Sequence, residues 1–145
     1  MITCDEQAKQ HLDSLRQGYV SIAAPGLEAL VCLCHNDSFS RGWWDGDALE
    51  ILHQRGNSLV PTKLMLTVSE LSEAMEGHRK GIMDNHIPHR PSVEVELADA
   101  LIRICDLAGA LRLDLGGAVI DKLAYNRNRA DHDRDNRQQE GGKSY

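Results

Sequence analysis

The sequence predicts an all-α fold: a four-helix bundle with an extra N-terminal helix. Two observations lead to this prediction. The apolar residues of the long segments recur with the helical period, and the sequence contains neither a β-hairpin signal nor an alternating strand pattern. With 145 residues, 41% of them hydrophobic, the chain is long enough to form one ordinary core.

The N-terminal half contains three expected helices. The first spans about residues 4–17 and ends near Gly18. A second begins after Pro25 and Gly26, because proline lacks the N–H that a helix interior needs. A turn of sequence SRGWWDGD follows, and a short helix, ALEILHQR, comes after it.

The C-terminal half contains three long expected helices, 61–79, 92–111 and 114–129. Proline favours the first turn of a helix, and serine and aspartate favour the N-cap, so these helices begin near Pro61, Ser92 and Asp114. Gly81 is expected to stop the first of them. The chain then divides into a helical appendage (1–22), a main helical domain (23–131) and a polar tail (132–145).

Composition excludes several classes of protein. A net charge of −6 argues against nucleic acid as a partner, because binding its backbone needs many Lys and Arg side chains. The start, MITCDEQAKQHL, lacks the apolar core of a signal peptide, and we expect no membrane-spanning run. The four cysteines have no disulfide framework spacing, which favours reduced thiols in a cytoplasm.

Two pairs of acids carry the strongest chemical signal: Glu70 with Glu73, and Glu96 with Asp99. Residues three apart on a helix point the same way from adjacent turns. Two such helices facing each other would gather four carboxylates, the ligands that Mg²⁺ takes together with water and substrate phosphates. The pattern therefore predicts metal-assisted phosphate chemistry.

The position of each pair on its helix leaves an alternative open. Glu96 and Asp99 lie with Arg103 and Asp106 on a narrow polar strip of an otherwise apolar helix, which favours a cleft. The alternative is a solvated face on which Arg103 pairs with Asp99. The first pair lies opposite an expected core stripe and could equally occupy an outer surface; the stripe consists of Leu64, Val68, Leu71 and Met75.

The last helix supplies candidate cations. Lys122, Asn126 and Arg129 continue a stripe that begins apolar, and polar groups at core positions need partners or a function. Lysine and arginine on one face can hold phosphate oxygens. The alternative is a fraying helix end on which Lys122 extends its ammonium to solvent.

These residues resemble the MazG-like all-α nucleoside triphosphate pyrophosphohydrolases, particularly short phage-type members. The resemblance covers about residues 26–131 and rests on the ordered motifs ExxE, ExxD and KxxxN, formed by the two acid pairs and by Lys122 with Asn126. The segment SRGWWD is similar to a family segment, which makes Trp43, Trp44 and Asp45 candidates for the nucleotide end of the site.

The resemblance implies hydrolysis of a (d)NTP to the (d)NMP and pyrophosphate with two or more Mg²⁺, or Mn²⁺, ions. It implies a homodimer or homotetramer and favours a purine, dGTP or GTP, with dGMP for modified-base synthesis as a product. The implied metal ligands are Glu70, Glu73, Glu96 and Asp99. Glu73 would also activate water, and Lys122 would act on the phosphates. Further substrate contacts would come from Asn126, Arg129, Arg79 and Lys80.

Three other classes of protein compete with this hypothesis. An acidic helical interaction module would bind a basic partner and no specific metal. A carboxylate-bridged redox bundle would need Glu-x-x-His on two helices, and the two acid motifs lack it. A nucleotide-binding regulator would keep the acids and the lysine and release no pyrophosphate.

Overall fold

The computed structural model describes residues 4–54 and 58–129, and every regular element in that part of the chain is helical. The predicted all-α class is confirmed, while the four-helix bundle stays a prediction. The elements are α1 (Cys4–Ser40), α2 (Gly46–Leu52), α3 (Leu59–Lys80), α4 (Ser92–Ala110) and α5 (Leu115–Arg127).

The expected helix ends at Gly81 and Asp114 are confirmed, whereas the expected N-cap at Ser92 is wrong, because Ser92 is the first residue of α4 and Pro91 takes the N-cap position. Gly81 ends α3 in the left-handed region, with φ 63° and ψ 34°, and its N–H donates to the carbonyl of Gly77. The side chain of Asp114 caps α5 by accepting the N–H of Gly117 at 2.8 Å. These local signals set the helix ends because each satisfies a backbone group that the helix itself leaves unpaired.

The predicted break in the first helix is wrong. α1 continues through Gly18 and Gly26, with Pro25 inside it. Proline removes one hydrogen bond of the helical ladder, and glycine costs about 1 kcal/mol relative to alanine. A helix this long retains many other backbone bonds, so both residues are accommodated within it.

The chain divides into two compact units, and α1 contributes to both. The terminal unit comprises Met1–Glu28 and Asp114–Tyr145, and the central unit comprises Ala29–Leu113. In the terminal unit, the N–H of Gly116 donates to Oε1 of Glu28 at 2.6 Å, which ties the start of α5 to α1. The predicted domain boundaries at 22 and 131 stay predictions, and the predicted tail, 132–145, lies outside the described residues.

The central unit is organised around α3 and α4, which pack as an antiparallel pair. The order of their contacts shows the direction: Lys63 meets Asp106, Glu70 meets Arg103, and a Cβ at Gly77 would touch Ser92. The connection, 81–91, closes with an isolated bridge between Met83 and Pro91. At the opposite end of the pair, the core cluster contains Trp44, Leu52, Leu107 and Ala110.

The stripe predicted to form the core of α3 is exposed in the single chain. Leu71 is 47% exposed and Met75 is 66% exposed, and Leu64 and Val68 are similar. Part of the predicted core face of α4 is also open to solvent, at Leu97, Leu101 and Ile104. The helical period identified an apolar face correctly, but the single chain does not cover it.

Within residues 4–54 and 58–129, one helix is long and apolar enough to cross a membrane by length and composition. The stretch is Asp13–Ser40 of α1, and 11% of its most apolar part is buried. The expectation that no run reaches this length is therefore wrong. The core helix of a soluble protein and a secretion signal near an N-terminus share this length and composition, so the feature is weak evidence for a membrane span.

Candidate metal and phosphate site

The antiparallel pair brings acids from both predicted motifs together. One carboxylate oxygen each from Glu70, Glu96 and Asp99 lies within 4.8 Å of the other two. Glu73, one turn from Glu70, lines the same cavity of about 500 Å³ and is exposed. The predicted gathering of the two acid pairs at one place is therefore observed. Glu70 is 7% exposed, which excludes a solvated outer face for that residue.

The crowding of these acids changes their acidity. The pKa of Glu96 lies above its usual value because of burial and because of the negative charges of Glu73 and Asp99. Burial also raises the pKa of Asp99, as does the charge of Glu70. In the absence of a cation, the ionised forms of these groups are therefore disfavoured. A divalent ion placed among them would relieve both effects.

The loop between α3 and α4 adds a further acid that the sequence analysis missed. Asp84 is 8% exposed, and its Oδ1 accepts the N–H groups of His86 at 2.8 Å and Ile87 at 2.6 Å. These hydrogen bonds lower the pKa of Asp84, the bond from Ile87 most of all. Asp84, Asn85 and His86 line the acidic cavity. The available signal was an aspartate followed by residues able to form an Asx turn.

Arg103 holds the buried acid from across the helix pair. Its Nε and Nη2 lie 2.7 Å and 2.6 Å from the same oxygen, Oε1 of Glu70. The pairing of Arg103 with Asp99, which the alternative required, is not among the hydrogen bonds of the described residues. The charge of Arg103 nevertheless lowers the pKa of Asp99 and so partly offsets the raising effects there.

A second cleft adjoins the acidic cavity and shares Asp99 with it. It has a volume of about 510 Å³ and presents two cations, Lys63 and Arg103, together with the exposed ring of Trp43. Trp43 is 69% exposed, which is consistent with its predicted availability to a ligand. Asp45 is also exposed, but it lines a separate depression beside α2.

Trp44 lies in the core, which corrects its assignment to the substrate. It is 1% exposed, and its indole N–H donates to Oδ1 of Asp106 at 2.6 Å. The ammonium of Lys63 lies 4.3 Å from the ring centroid, and the ring of His35 packs edge-on at 5.7 Å. With its N–H and ring engaged in this way, Trp44 offers no surface to a nucleobase.

Arg79 and Lys80 pair with a neighbour on their own helix. Both contact the carboxylate of Glu76, at 2.7 Å and 2.9 Å. This arrangement lowers the pKa of Glu76 to about 2. Neither cation lines the acidic cavity or the cleft beside it. Their predicted role as phosphate contacts is therefore not supported by their position.

The predicted cations of the last helix gather around one tyrosine in the terminal unit. The ammonium of Lys122 lies 4.6 Å from the ring centroid of Tyr125, and the guanidinium of Arg129 lies 5.9 Å from it. Oδ1 of Asn126 is buried and finds no hydrogen-bond partner among the described residues. A buried amide oxygen without a partner is costly, so this atom is available to a donor.

The donor set of the acidic cavity suits a hard divalent cation. Carboxylate oxygens from two helices meet there, and the adjoining cleft presents an aromatic surface and two cations, Lys63 and Arg103, each paired with a carboxylate. Such an arrangement can hold Mg²⁺ or Mn²⁺ together with a phosphate ester. Comparisons with protein families, curated proteins and solved structures return no match to this chain.

Proposed function

We propose that this chain is a metal-dependent nucleoside triphosphate pyrophosphohydrolase, which converts a (d)NTP and water to the (d)NMP and pyrophosphate. The observation that carries the proposal is the meeting of Glu70, Glu96 and Asp99 within 4.8 Å. Isolated acidic helices are common, whereas three carboxylate oxygens brought this close together from two helices repel one another, and a cation among them would relieve that repulsion.

Glu70, Glu73, Glu96 and Asp99 would hold two or more Mg²⁺ ions, with Mn²⁺ as a substitute. When bound, the ions supply charge neutralisation for the triphosphate and a lowered pKa for a coordinated water. Glu73 is the exposed member of the set, so its carboxylate is free to orient the attacking water and accept its proton. Positioning and electrostatics would then provide most of the rate.

The substrate would extend from the acidic cavity into the adjoining cleft. Trp43 offers a ring on which a base can stack, and Lys63, whose ammonium pairs with Asp106, lines the same cleft. Lys122 would contribute to catalysis by binding phosphate oxygens, with Asn126 and Arg129 as further substrate contacts. Stacking accepts any base, so the preference for a purine, dGTP or GTP, rests on the resemblance of the motifs alone.

The partners follow from the same features. The substrate is a free nucleotide, and neither nucleic acid nor a membrane is proposed as a partner, in line with the net charge of −6. We propose that a second copy covers the exposed apolar stripe of α3, which contains Leu64, Val68, Leu71 and Met75. This gives a homodimer, or a homotetramer built from two dimers, with helical bundles completed between copies, working in the cytoplasm.

The test is pyrophosphate release from the eight common NTPs and dNTPs with Mg²⁺ and with Mn²⁺. Glu73→Gln and Asp99→Asn should lower turnover by at least about 100-fold while leaving the chain folded. Glu94→Gln is the matched control, since Glu94 is exposed on the same helix as Asp99 and pairs with Arg90. Nucleotide binding without release on the whole panel would favour a binding regulator. Neither binding nor release would favour an acidic interaction module.

A further inference from the structure

The ion pair between Arg103 and Glu70 differs from the other arginine–glutamate pairs of the described chain. Arg79 with Glu76, and Arg90 with Glu94, are exposed pairs of residues close in sequence. Such pairs contribute little to stability. Arg103 instead reaches across from α4 to a carboxylate on α3 whose side chain is 9% exposed. A cation is therefore built into the acidic group at its most buried member.

The arginine and a divalent ion compete for the same carboxylate. Two nitrogens of Arg103 contact Oε1 of Glu70 at 2.7 Å and 2.6 Å. A metal ion that joins Glu70, Glu96 and Asp99 would stand close to this guanidinium, and the two positive charges would repel each other. Metal binding at Glu70 therefore favours movement of the guanidinium away from it.

The structure also provides a place for the displaced guanidinium. The side chain of Arg103 is 40% exposed and lines the second cleft, together with Lys63 and Trp43. Because this cleft shares Asp99 with the acidic cavity, a guanidinium that turns into it stays beside the metal site. A planar guanidinium with several N–H donors is well suited to a phosphate group.

We propose that Arg103 is a displaceable counter-cation, which neutralises Glu70 in the metal-free protein and turns to bind a substrate phosphate when a divalent ion takes Glu70. The inference rests on the proposed metal site and adds to it a residue that couples metal binding to anion binding. It requires no covalent step. It makes two separate claims, and each has its own measurement.

The first claim is tested by Mn²⁺ binding, measured by calorimetry without nucleotide. Arg103→Gln removes the competing charge, so Mn²⁺ should bind on the order of fivefold more tightly than to the unaltered protein. Arg90→Gln, which removes an exposed pair with Glu94, should leave the affinity unchanged. Unchanged or weaker Mn²⁺ binding by a folded Arg103→Gln variant overturns the claim. Arg103 would then hold the Glu70 carboxylate in position and would not compete with the metal ion.

A measurement on the unaltered protein covers the case in which Arg103→Gln does not fold. The arginine Nε–H resonances are followed by NMR during a titration with Mg²⁺. The resonance of Arg103 should move as its bond to Glu70 breaks, and that of Arg90 should stay in place. An Arg103 resonance that does not move while Mg²⁺ binds overturns displacement.

The second claim is tested with pyrophosphate at saturating Mn²⁺. Arg103→Gln should weaken pyrophosphate binding by about tenfold, because one charged hydrogen-bonding contact is lost. Equal affinity for the variant and the unaltered protein overturns the phosphate contact. None of these measurements needs turnover. If the unaltered protein binds no Mn²⁺, both the proposed metal site and this inference are wrong. If it binds Mn²⁺ and Arg103→Gln changes neither Mn²⁺ nor pyrophosphate binding, only this inference is wrong.

Discussion

Asp106 accepts the indole N–H of Trp44 at 2.6 Å, and this bond links the end of α4 to the turn before α2. The same carboxylate lies 3.1 Å from Nδ1 of His35 and 3.5 Å from the ammonium of Lys63. Asp106 is 5% exposed, so these partners rather than water satisfy its oxygens. The network fixes one wall of the cleft that carries Lys63.

Replacing Asp106 by alanine should lower the free energy of unfolding by about 2–3 kcal/mol. The substitution leaves the Trp44 N–H and the Lys63 ammonium without their acceptor in a poorly solvated place. Urea unfolding followed by circular dichroism gives the value. Asp106→Asn keeps one acceptor oxygen and should cost less. Asp121→Ala, an exposed change on α5, should alter the free energy of unfolding by no more than about 0.5 kcal/mol. A loss as large as that of Asp106→Ala would contradict the stabilising role of the Asp106 network.

Mn²⁺ should stabilise the protein through the acidic cavity. At 100 times its dissociation constant, an ion that binds only the folded state adds about 2.7 kcal/mol, which corresponds to roughly 5–10 °C in Tm. Glu96→Gln should abolish most of this shift. Because the pKa of Glu96 is raised, its ionised form is unfavourable without metal, so the metal-free variant should be at least as stable as the unaltered protein.

Differential scanning fluorimetry with and without Mn²⁺ measures both effects of Glu96→Gln. Glu94→Gln, on the same helix and exposed, is the control that should retain the full shift. A shift that persists in Glu96→Gln would place the ion elsewhere.

Asp84 should make stability depend on pH in the acidic range. Its folded-state pKa is lowered by hydrogen bonds from the backbone of Ile87 and His86. A carboxyl group with a lowered pKa adds stability above its unfolded pKa of about 3.9, and this contribution is lost as the pH falls through the folded pKa. Asp84→Asn lacks the titrating group.

The measurement is urea unfolding of the unaltered protein and of Asp84→Asn at several pH values between about 5 and 2. The variant should be less stable at pH 5, and the difference should shrink towards pH 2. Asp47→Asn, an exposed change in the first turn of α2, should leave the pH dependence as it is. Parallel curves for Asp84→Asn and the unaltered protein would contradict the prediction.

Leu71→Lys should reduce the oligomer to a monomer. Leu71 is 47% exposed on the apolar stripe of α3, and a buried ammonium without a partner at a subunit contact costs several kcal/mol. Light scattering after size-exclusion chromatography measures the mass. Ile51→Lys provides a matched control, because Ile51 is 42% exposed on α2, away from the stripe. If the unaltered protein is already a monomer in solution, the proposal that a second copy covers the apolar stripe of α3 is wrong.

Gly77→Ala should destabilise the protein by about 1–3 kcal/mol. The added Cβ would meet Oγ of Ser92 at 2.5 Å and the backbone nitrogen of Val93 at 3.3 Å, so α3 and α4 must move apart. Gly18→Ala is the control: nothing lies within 4 Å of its Cβ, and alanine should stabilise α1 by up to about 1 kcal/mol. Thermal unfolding compares the two, and equal effects would contradict the close approach.

Local sequence signals predicted the parts of the fold that depend on neighbours in the chain. The positive φ at Gly81 and the cap at Asp114 are set by backbone groups a few residues away, and both were predictable. Pro25 shows the limit of such signals, because it lies inside α1 although proline in a helix interior costs about 3 kcal/mol. The helical period favoured a cleft for Glu96 and Asp99 but left an outer surface open for Glu70 and Glu73, so the meeting of the two pairs was predicted from the ordered motifs.

The rest of the site depends on contacts between elements. Sequence spacing predicts partners for Arg103 only within its own helix, whereas the observed partner, Glu70, belongs to α3. Trp43 and Trp44 are chemically identical neighbours, yet one is 69% exposed and the other 1% exposed, because successive positions face different sides of the turn. Periodicity likewise reveals that a helix face is apolar without saying which chain covers it.

The described carboxylates of the acidic cavity all come from one continuous segment, 70–99, which folds back on itself through the short connection 81–91. Closing so small a loop costs little chain entropy, and local contacts of this kind form quickly during folding. The acids of the cavity therefore form one local unit of the chain. An insertion outside residues 70–99 can change the surfaces around the cavity without separating its carboxylates. Only an insertion between Glu70 and Asp99 would separate the acids of α3 from those of α4.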